Sequence, residues 1–282
     1  MVEQPFRIRN SSGDEITGDF RYVDDGKEKP LVVICHGFTA HKNWGPFPYF
    51  GRQFASHGFA SIVFNFSHNG IGSDFTKFTE FEKFSRNTIG KELEDLDAVI
   101  DAVKDGEIGN RRIDRNRIGL VGHSRGGAVS ILCASADQRV KAVAAWSTVA
   151  TVFRYTKHQR DLWEKEGYLP VTVRSLPTKL RYGIGVLRDL EANTGRYDLI
   201  NAVQRMSVPL LLVHGAADVT VKPAEAEKLY EAAAKSRTEF ILLEHTGHMY
   251  GVKSGSTKTN PTIEHISDLT AKWFNVHLSS GE

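Results

Sequence analysis

Leu31-Val32-Val33-Ile34-Cys35 is an uninterrupted apolar run that stops at His36-Gly37. A strand with one wet face alternates polar and apolar residues. A short run with no polar break suits a strand covered on both faces, as in the middle of a parallel sheet. Similar short segments recur at Ala60–Phe66, Ile118–Val121, Val140–Ala145, Val208–His214 and Phe240–Leu243. Helical patterns lie between them. Residues 47–57 read as a helix, and residues 89–104 carry Leu93, Leu96, Val99, Ile100 and Val103 at helical spacing until Asp105-Gly106. Further helices are expected over 126–136, from Pro223 to Lys235, and over 262–278. Strands alternating with helices imply an α/β fold, with a mostly parallel sheet and helices on both faces.

Two parts depart from that rhythm. At the start, Phe6 and Ile8 are separated from Ile16, Phe20 and Tyr22 by the turn cluster Asn10-Ser11-Ser12-Gly13-Asp14, which predicts an antiparallel hairpin. Residues 150–205 are rich in charge and aromatics and contain no clear core strand. They are expected to form short helices over one end of the sheet, punctuated by Pro170 and Pro177. The expected organisation is therefore a core formed by 1–149 and 206–282, with a helical cap insertion at 150–205.

The 36 basic and 34 acidic residues leave a net charge of +2, which gives no electrostatic footprint for nucleic acid or an anionic membrane. No stretch approaches the roughly 18 consecutive apolar residues of a membrane span, so no membrane insertion is expected. Residues Met1 to Asn10 show no secretory signal, and Cys35 and Cys133 each lie in an apolar segment, as buried thiols do. The expectation is a cytoplasmic protein, compatible with a homodimer as well as a monomer.

The chemistry concentrates at Gly122-His123-Ser124-Arg125-Gly126-Gly127, which directly follows the strand Ile118–Val121 and opens a helix. A strand–turn–helix this tight needs glycines beside its central residue. It leaves the serine hydroxyl exposed at the tip, near the positive end of a helix. Serine alone is a weak nucleophile near neutral pH. It needs a base, and the base needs a group to hold its tautomer. Candidates follow at later strand ends: Asp218 in Gly215-Ala216-Ala217-Asp218, and His245 and His248 in Glu244-His245-Thr246-Gly247-His248. The bland readings are a turn carboxylate for Asp218 and a strand-end residue for His245. The other histidines (His41, His57, His68, His158, His265, His277) read as surface or core residues.

With His36-Gly37-Phe38, Gly122-His123-Ser124-Arg125-Gly126, His214-Gly215-Ala216-Ala217-Asp218 and Gly247-His248 in that order, the chain resembles the α/β-hydrolase superfamily over nearly its whole length. It looks most like the dienelactone-hydrolase-like and cinnamoyl (feruloyl) esterase-like members, which carry a modest cap after the sixth strand. The resemblance implies Ser124 as nucleophile, Asp218 as acid and His248 as base. It also implies an oxyanion hole formed by the backbone N–H groups of Phe38 and Arg125. His36 and His123 are expected to brace the loop and floor. Asn69-Gly70-Ile71-Gly72-Ser73-Asp74 reads as a structural turn whose Asp74 could brace the site, and it is poorly spaced for a dinucleotide loop.

Phe38, Tyr155, Trp163, Tyr168 and Tyr182 are candidates for an aromatic substrate pocket, against the plainer reading of a cap-to-sheet core. Arg154, Arg174 and Arg181 are candidates for receiving a carboxylate, although exposed arginines are commoner. No metal and no cofactor are expected. The implied activity is a serine esterase acting on a small-molecule ester, with short-chain or aromatic acyl groups preferred. One alternative is a peptidase or amidase with the same triad, in the manner of the acyl-peptide hydrolases, although that family usually adds a propeller not found in these 282 residues. Others are a non-catalytic binding protein on the same fold, or a non-hydrolytic activity of the scaffold.

Overall fold

The computed structural model describes residues 1–109, 112–173, 176–252 and 258–279. In chain order its elements are β1 (Val2–Arg9), β2 (Glu15–Tyr22), β3 (Lys29–Cys35), α1 (Phe47–Ser56), β4 (Ala60–Asn65), α2 (Phe81–Ser85) and α3 (Ile89–Asp105). Then come β5 (Ile113–His123), α4 (Arg125–Ala136), β6 (Val140–Trp146), α5 (Lys157–Glu166), β7 (Tyr168–Val171), β8 (Leu180–Gly183), α6 (Ile184–Ala192) and α7 (Leu199–Arg205). The chain closes with β9 (Leu210–Gly215), α8 (Pro223–Ala232), β10 (Thr238–Leu243) and α9 (Pro261–His277).

The main sheet has the order β1-β2-β4-β3-β5-β6-β9-β10. The hairpin β1–β2 is antiparallel, and β2 joins β4 antiparallel. All pairings from β4 to β10 are parallel. Loops at the carboxyl ends of the parallel strands therefore gather along one edge, where ligand sites form in open α/β sheets.

The apolar run in β3 divides cleanly by side-chain direction. Leu31, Val33 and Cys35 face a core shared with Leu96, Val99 and Ile100 of α3 and Val129 and Leu132 of α4. Val32 and Ile34 face a second core with Phe50 and Phe54 of α1 and Ile266 and Phe274 of α9. Both faces are dry, so the pattern shows no alternation. Each large side chain buried in this way contributes on the order of 1.5–3 kcal/mol before entropy is counted.

Residues 150–205 differ from the sequence expectation. Short helices are present, but so is a two-stranded antiparallel sheet, β7–β8. In β8, Leu180 and Tyr182 are buried and Arg181 is exposed, an alternation too short to register as a period. Pro170 reads as a break but lies within β7, tolerated because both strands of a lone pair are edges. A third apolar cluster fills this region, with Trp163, Leu169, Leu180, Tyr182, Val186 and Leu187 packing against Phe78 and Phe84. Among the described residues no helix is long and apolar enough to cross a membrane.

Candidate active site

Ser124 stands between the end of β5 and the first turn of α4, with φ 56° and ψ −120°. A side-chain-bearing residue at that φ is strained and persists only where its surroundings over-determine it. They do here. The Ser124 N–H donates to the Trp146 carbonyl at 2.8 Å, and its carbonyl accepts from the Gly127 N–H at 3.0 Å and the Thr148 hydroxyl at 3.2 Å. The neighbouring glycines are steric requirements. A Cβ on Gly122 would lie 2.2 Å from the Gly126 carbonyl oxygen, and one on Gly126 would lie 2.4 Å from that of Cys35.

Asp218 follows β9 and is buried. Its Oδ1 accepts from the N–H groups of Thr220 and Val221, each at 2.9 Å. Its Oδ2 lies 2.7 Å from His248 Nδ1 and 3.4 Å from His214 Nε2. Burial opposes the charge, but the neighbouring His214 ring and hydrogen bonds from His248 and the Val221 N–H outweigh it and hold the carboxyl well below the usual range.

With Nδ1 directed at Asp218, His248 keeps Nε2 for another partner. Among the described residues no hydrogen bond reaches Nε2 of His248 or the hydroxyl of Ser124. His123, which precedes Ser124, touches the His248 loop. His123 Nε2 donates to the His248 carbonyl at 3.0 Å, and the two rings lie 4.8 Å apart between centroids. Burial, then the neighbouring His248, pushes His123 down to about 3, so it is a neutral floor residue. His245 adopts φ 55° in the turn and is exposed, and among the described residues it makes no hydrogen bond to Asp218.

Phe38 lies in the loop after β3. Among the described residues neither its N–H nor that of Arg125 is taken by a protein acceptor, and both belong to the segments that flank Ser124. The loop is braced from below. His36 Nδ1 donates to the Gly37 carbonyl at 2.9 Å, and its Nε2 accepts from the Phe66 N–H at 3.3 Å. Burial pushes His36 down to about 3, which keeps Nε2 an acceptor. Further along, the Lys42 N–H donates to Asn65 Oδ1 at 2.7 Å, and Lys42 Nζ pairs with buried Asp19 at 2.7 Å. Asp74 closes its own turn through the N–H groups of Thr76 and Lys77, each at 2.9 Å, and among the described residues makes no hydrogen bond to Ser124, Asp218 or His248.

Four of the five aromatic candidates form one chain of ring contacts. Trp163 and Tyr182 are buried, stacked at 5.3 Å, with Tyr155 edge-on to Trp163 at 4.9 Å. Phe38 is half-buried, 5.2 Å from the Tyr182 ring. Tyr168 lies under the Arg181 guanidinium at 4.7 Å. Arg154 is held by Glu225 at 3.1 Å and by the Thr220 carbonyl at 3.2 Å. Arg174 lies outside the described residues. Among the described residues no group of three or more His, Cys, Asp or Glu is gathered as a metal ion would require.

Sequence reasoning passed over several residues at this edge. Ser147, at φ 44°, and Tyr250, at φ 51°, are joined hydroxyl to hydroxyl at 2.9 Å. Tyr250 donates to the Val213 carbonyl at 3.2 Å, tying the His248 loop to β9. His214, Glu92 and the side chain of Arg125 were likewise passed over. Glu92 carried a usable signal: three residues after Ile89 and four before Leu96, it sits on the buried stripe of α3.

The sheet order and the strained serine between β5 and α4 define a hydrolase of the α/β-hydrolase fold. The chain belongs to the prolyl oligopeptidase family (Peptidase_S9), whose sequence profile matches residues 52–277. It is 25% identical over 290 aligned positions to an Escherichia coli protein, the "Uncharacterized 31.7 kDa protein in traX-finO intergenic region", covering 92% of this chain and 95% of that one. It is 26% identical to "Putative esterase YitV" of Bacillus subtilis (strain 168), covering 88% and 89% of the two chains. The structure of Est1E from Butyrivibrio proteoclasticus with ferulic acid bound shares its fold, with a TM-score of 0.70, 18% identity, and coverage of 98% of this chain and 100% of that one.

Proposed function

We propose that the protein is a serine esterase that cleaves carboxylic esters through an acyl-enzyme intermediate, with Ser124 as nucleophile, His248 as base and Asp218 as the group that orients it. The observation that carries this reading is the His248–Asp218 pair at 2.7 Å, held against the residue that precedes a strained, glycine-flanked serine. His248 Nε2 takes the Ser124 proton as the hydroxyl attacks the carbonyl, then delivers it to the leaving alcohol. Water, activated by the same nitrogen, releases the acid. The developing oxyanion is received by the N–H groups of Phe38 and Arg125, each worth roughly 2.7–4 kcal/mol in the barrier.

Short-chain or aromatic acyl esters are the proposed substrates. The half-buried Phe38 ring beside the serine loop and the likeness in fold to Est1E, solved with ferulic acid bound, support this choice. The family match favours a second reading, a peptidase or amidase with the same three residues. Turnover of p-nitrophenyl esters against aminoacyl anilides decides between them; faster anilide turnover overturns the esterase reading. A fluorophosphonate probe should label the wild type and not Ser124→Ala. Failure to label the wild type would favour a binding protein instead.

A further inference from the structure

The Arg125 side chain takes no part in the chemistry above, yet it is 12% exposed and fully engaged. Nε donates to Glu92 Oε2 at 2.9 Å, Nη1 to the Tyr182 hydroxyl at 2.5 Å and Nη2 to the Asn87 carbonyl at 3.2 Å. The guanidinium centre stands 5.0 Å from the Phe38 ring and 5.8 Å from the Tyr182 ring. Its partners are themselves tied: Asn87 Nδ2 donates to Glu92 Oε1 at 3.0 Å, and the Tyr182 hydroxyl donates to the Asn87 carbonyl at 2.8 Å.

Four segments therefore meet on one planar group: the first turn of α4, the loop after β3, the start of α3 with its preceding loop, and strand β8 of the 150–205 region. Arg125 and Glu92 cancel in charge, so the assembly adds little net field at Ser124. It adds geometry instead. A guanidinium fixes donors in a rigid fork and stacks on aromatic faces, and a lysine does neither.

We infer that the Arg125 side chain is a positioning group that couples docking of β8, through the Tyr182 hydroxyl, to assembly of the oxyanion hole formed by Phe38 and Arg125. This inference rests on the esterase reading. When Tyr182 is seated, its hydroxyl holds the guanidinium over the Phe38 ring, and both backbone donors are fixed. Without the Tyr182 hydroxyl, Arg125 keeps Glu92 and the Asn87 carbonyl but loses the contact that presses it towards Phe38.

Two substitutions separate geometry from charge. Tyr182→Phe removes one hydroxyl and keeps the ring. Arg125→Lys keeps the positive charge opposite Glu92 and the backbone N–H but loses the fork. The readouts are kcat and KM for p-nitrophenyl acetate, inhibition by phenylboronic acid, whose tetrahedral serine adduct occupies the oxyanion position, and the melting temperature. The expected result is a fall in kcat of about tenfold or more for Arg125→Lys and about three- to tenfold for Tyr182→Phe, with KM within about twofold. Phenylboronic acid affinity should fall by a matching factor. Unchanged kcat in both variants overturns the inference. So does a loss of kcat with boronate affinity intact, or a loss confined to KM. If Arg125→Lys does not fold, Tyr182→Phe alone carries the test. Absence of Ser124-dependent turnover in the unmodified protein is a distinct result that removes the esterase reading, and this inference with it.

Discussion

His248 Nδ1 and Asp218 Oδ2 are 2.7 Å apart, while both Asp218 oxygens are also engaged by groups on its own side of the site. That arrangement fixes which ring nitrogen of His248 carries a proton. In Asp218→Asn, Oδ1 keeps the Thr220 and Val221 N–H groups and the new amide turns a donor towards Nδ1. The imidazole must then present its proton from Nε2, where it cannot serve as a base. We predict that Asp218→Asn lowers kcat on an ester substrate by on the order of 10⁴-fold with little change in melting temperature. A drop of less than tenfold would show that Asp218 does not orient the base.

His214 touches the same carboxylate from the other side. Its Nε2–H donates to the Val221 carbonyl at 2.9 Å and reaches Asp218 Oδ2 at 3.4 Å, with the ring fully buried. His214→Phe keeps the bulk and removes the donor. The Asp218 carboxylate then loses a neighbour that helps hold it in place against His248. We predict that kcat/KM on an ester substrate changes in His214→Phe while KM for the same ester stays within about twofold. The unfolding free energy should fall by about 1–3 kcal/mol, because the Val221 carbonyl loses its partner. An unchanged kcat/KM would leave His214 with a packing role alone.

The parallel strands and their helices were legible because a sheet buried on both faces writes itself as short apolar runs, and because Gly122 and Gly126 flank a serine that only a tight turn can present. Asp218 and His248 were legible as polar residues just past such runs. The β7–β8 pair was not, since Leu180-Arg181-Tyr182-Gly183 is too short to show a period and Pro170 argues against a strand. Trp163 and Tyr182 look alike as pocket or core residues until their burial is known. Glu92 and Arg125 lie on different helices, and nothing local announces that the two charges meet. Ser147 and Tyr250 matter through backbone conformation, which composition does not encode.

The elbow glycines give a sharper steric test. A Cβ on Gly126 would sit 2.4 Å from the Cys35 carbonyl oxygen and 2.5 Å from that of His36, which are backbone atoms at the start of the Phe38 loop. No side chain can swing away to relieve the contact, so the loop itself must move. We predict that Gly126→Ala destabilises the fold by about 1–3 kcal/mol and abolishes fluorophosphonate labelling of Ser124. Gly185→Ala is the control, since a Cβ there meets nothing within 4 Å, and it should behave as wild type. Wild-type labelling of Gly126→Ala would mean that the loop after β3 plays no part in presenting the serine.

Acid should weaken the protein well above the carboxylate range. Burial pushes both His36 and His123 down to about 3, against about 6.5 for histidine in an unfolded chain. Between these values the unfolded chain binds two protons that the folded one refuses, so stability falls as pH drops below about 6.5 and is unaffected by these groups above it. At pH 5 each histidine costs about 2 kcal/mol, or about 4 kcal/mol together. The refusal has a structural cause in each ring. His36 Nε2 accepts the Phe66 N–H, so a proton there would face a donor, and His123 lies against the His248 ring. Thermal melts should show a marked fall in Tm from pH 7 to pH 5 and little change from pH 7 to pH 8. Because buried Asp95, raised to about 7, is relieved by acid over the same range, the ring contribution is read as the difference in this pH dependence between wild type and His123→Asn; equal pH dependence in the two would mean that the His123 ring accepts a proton in place.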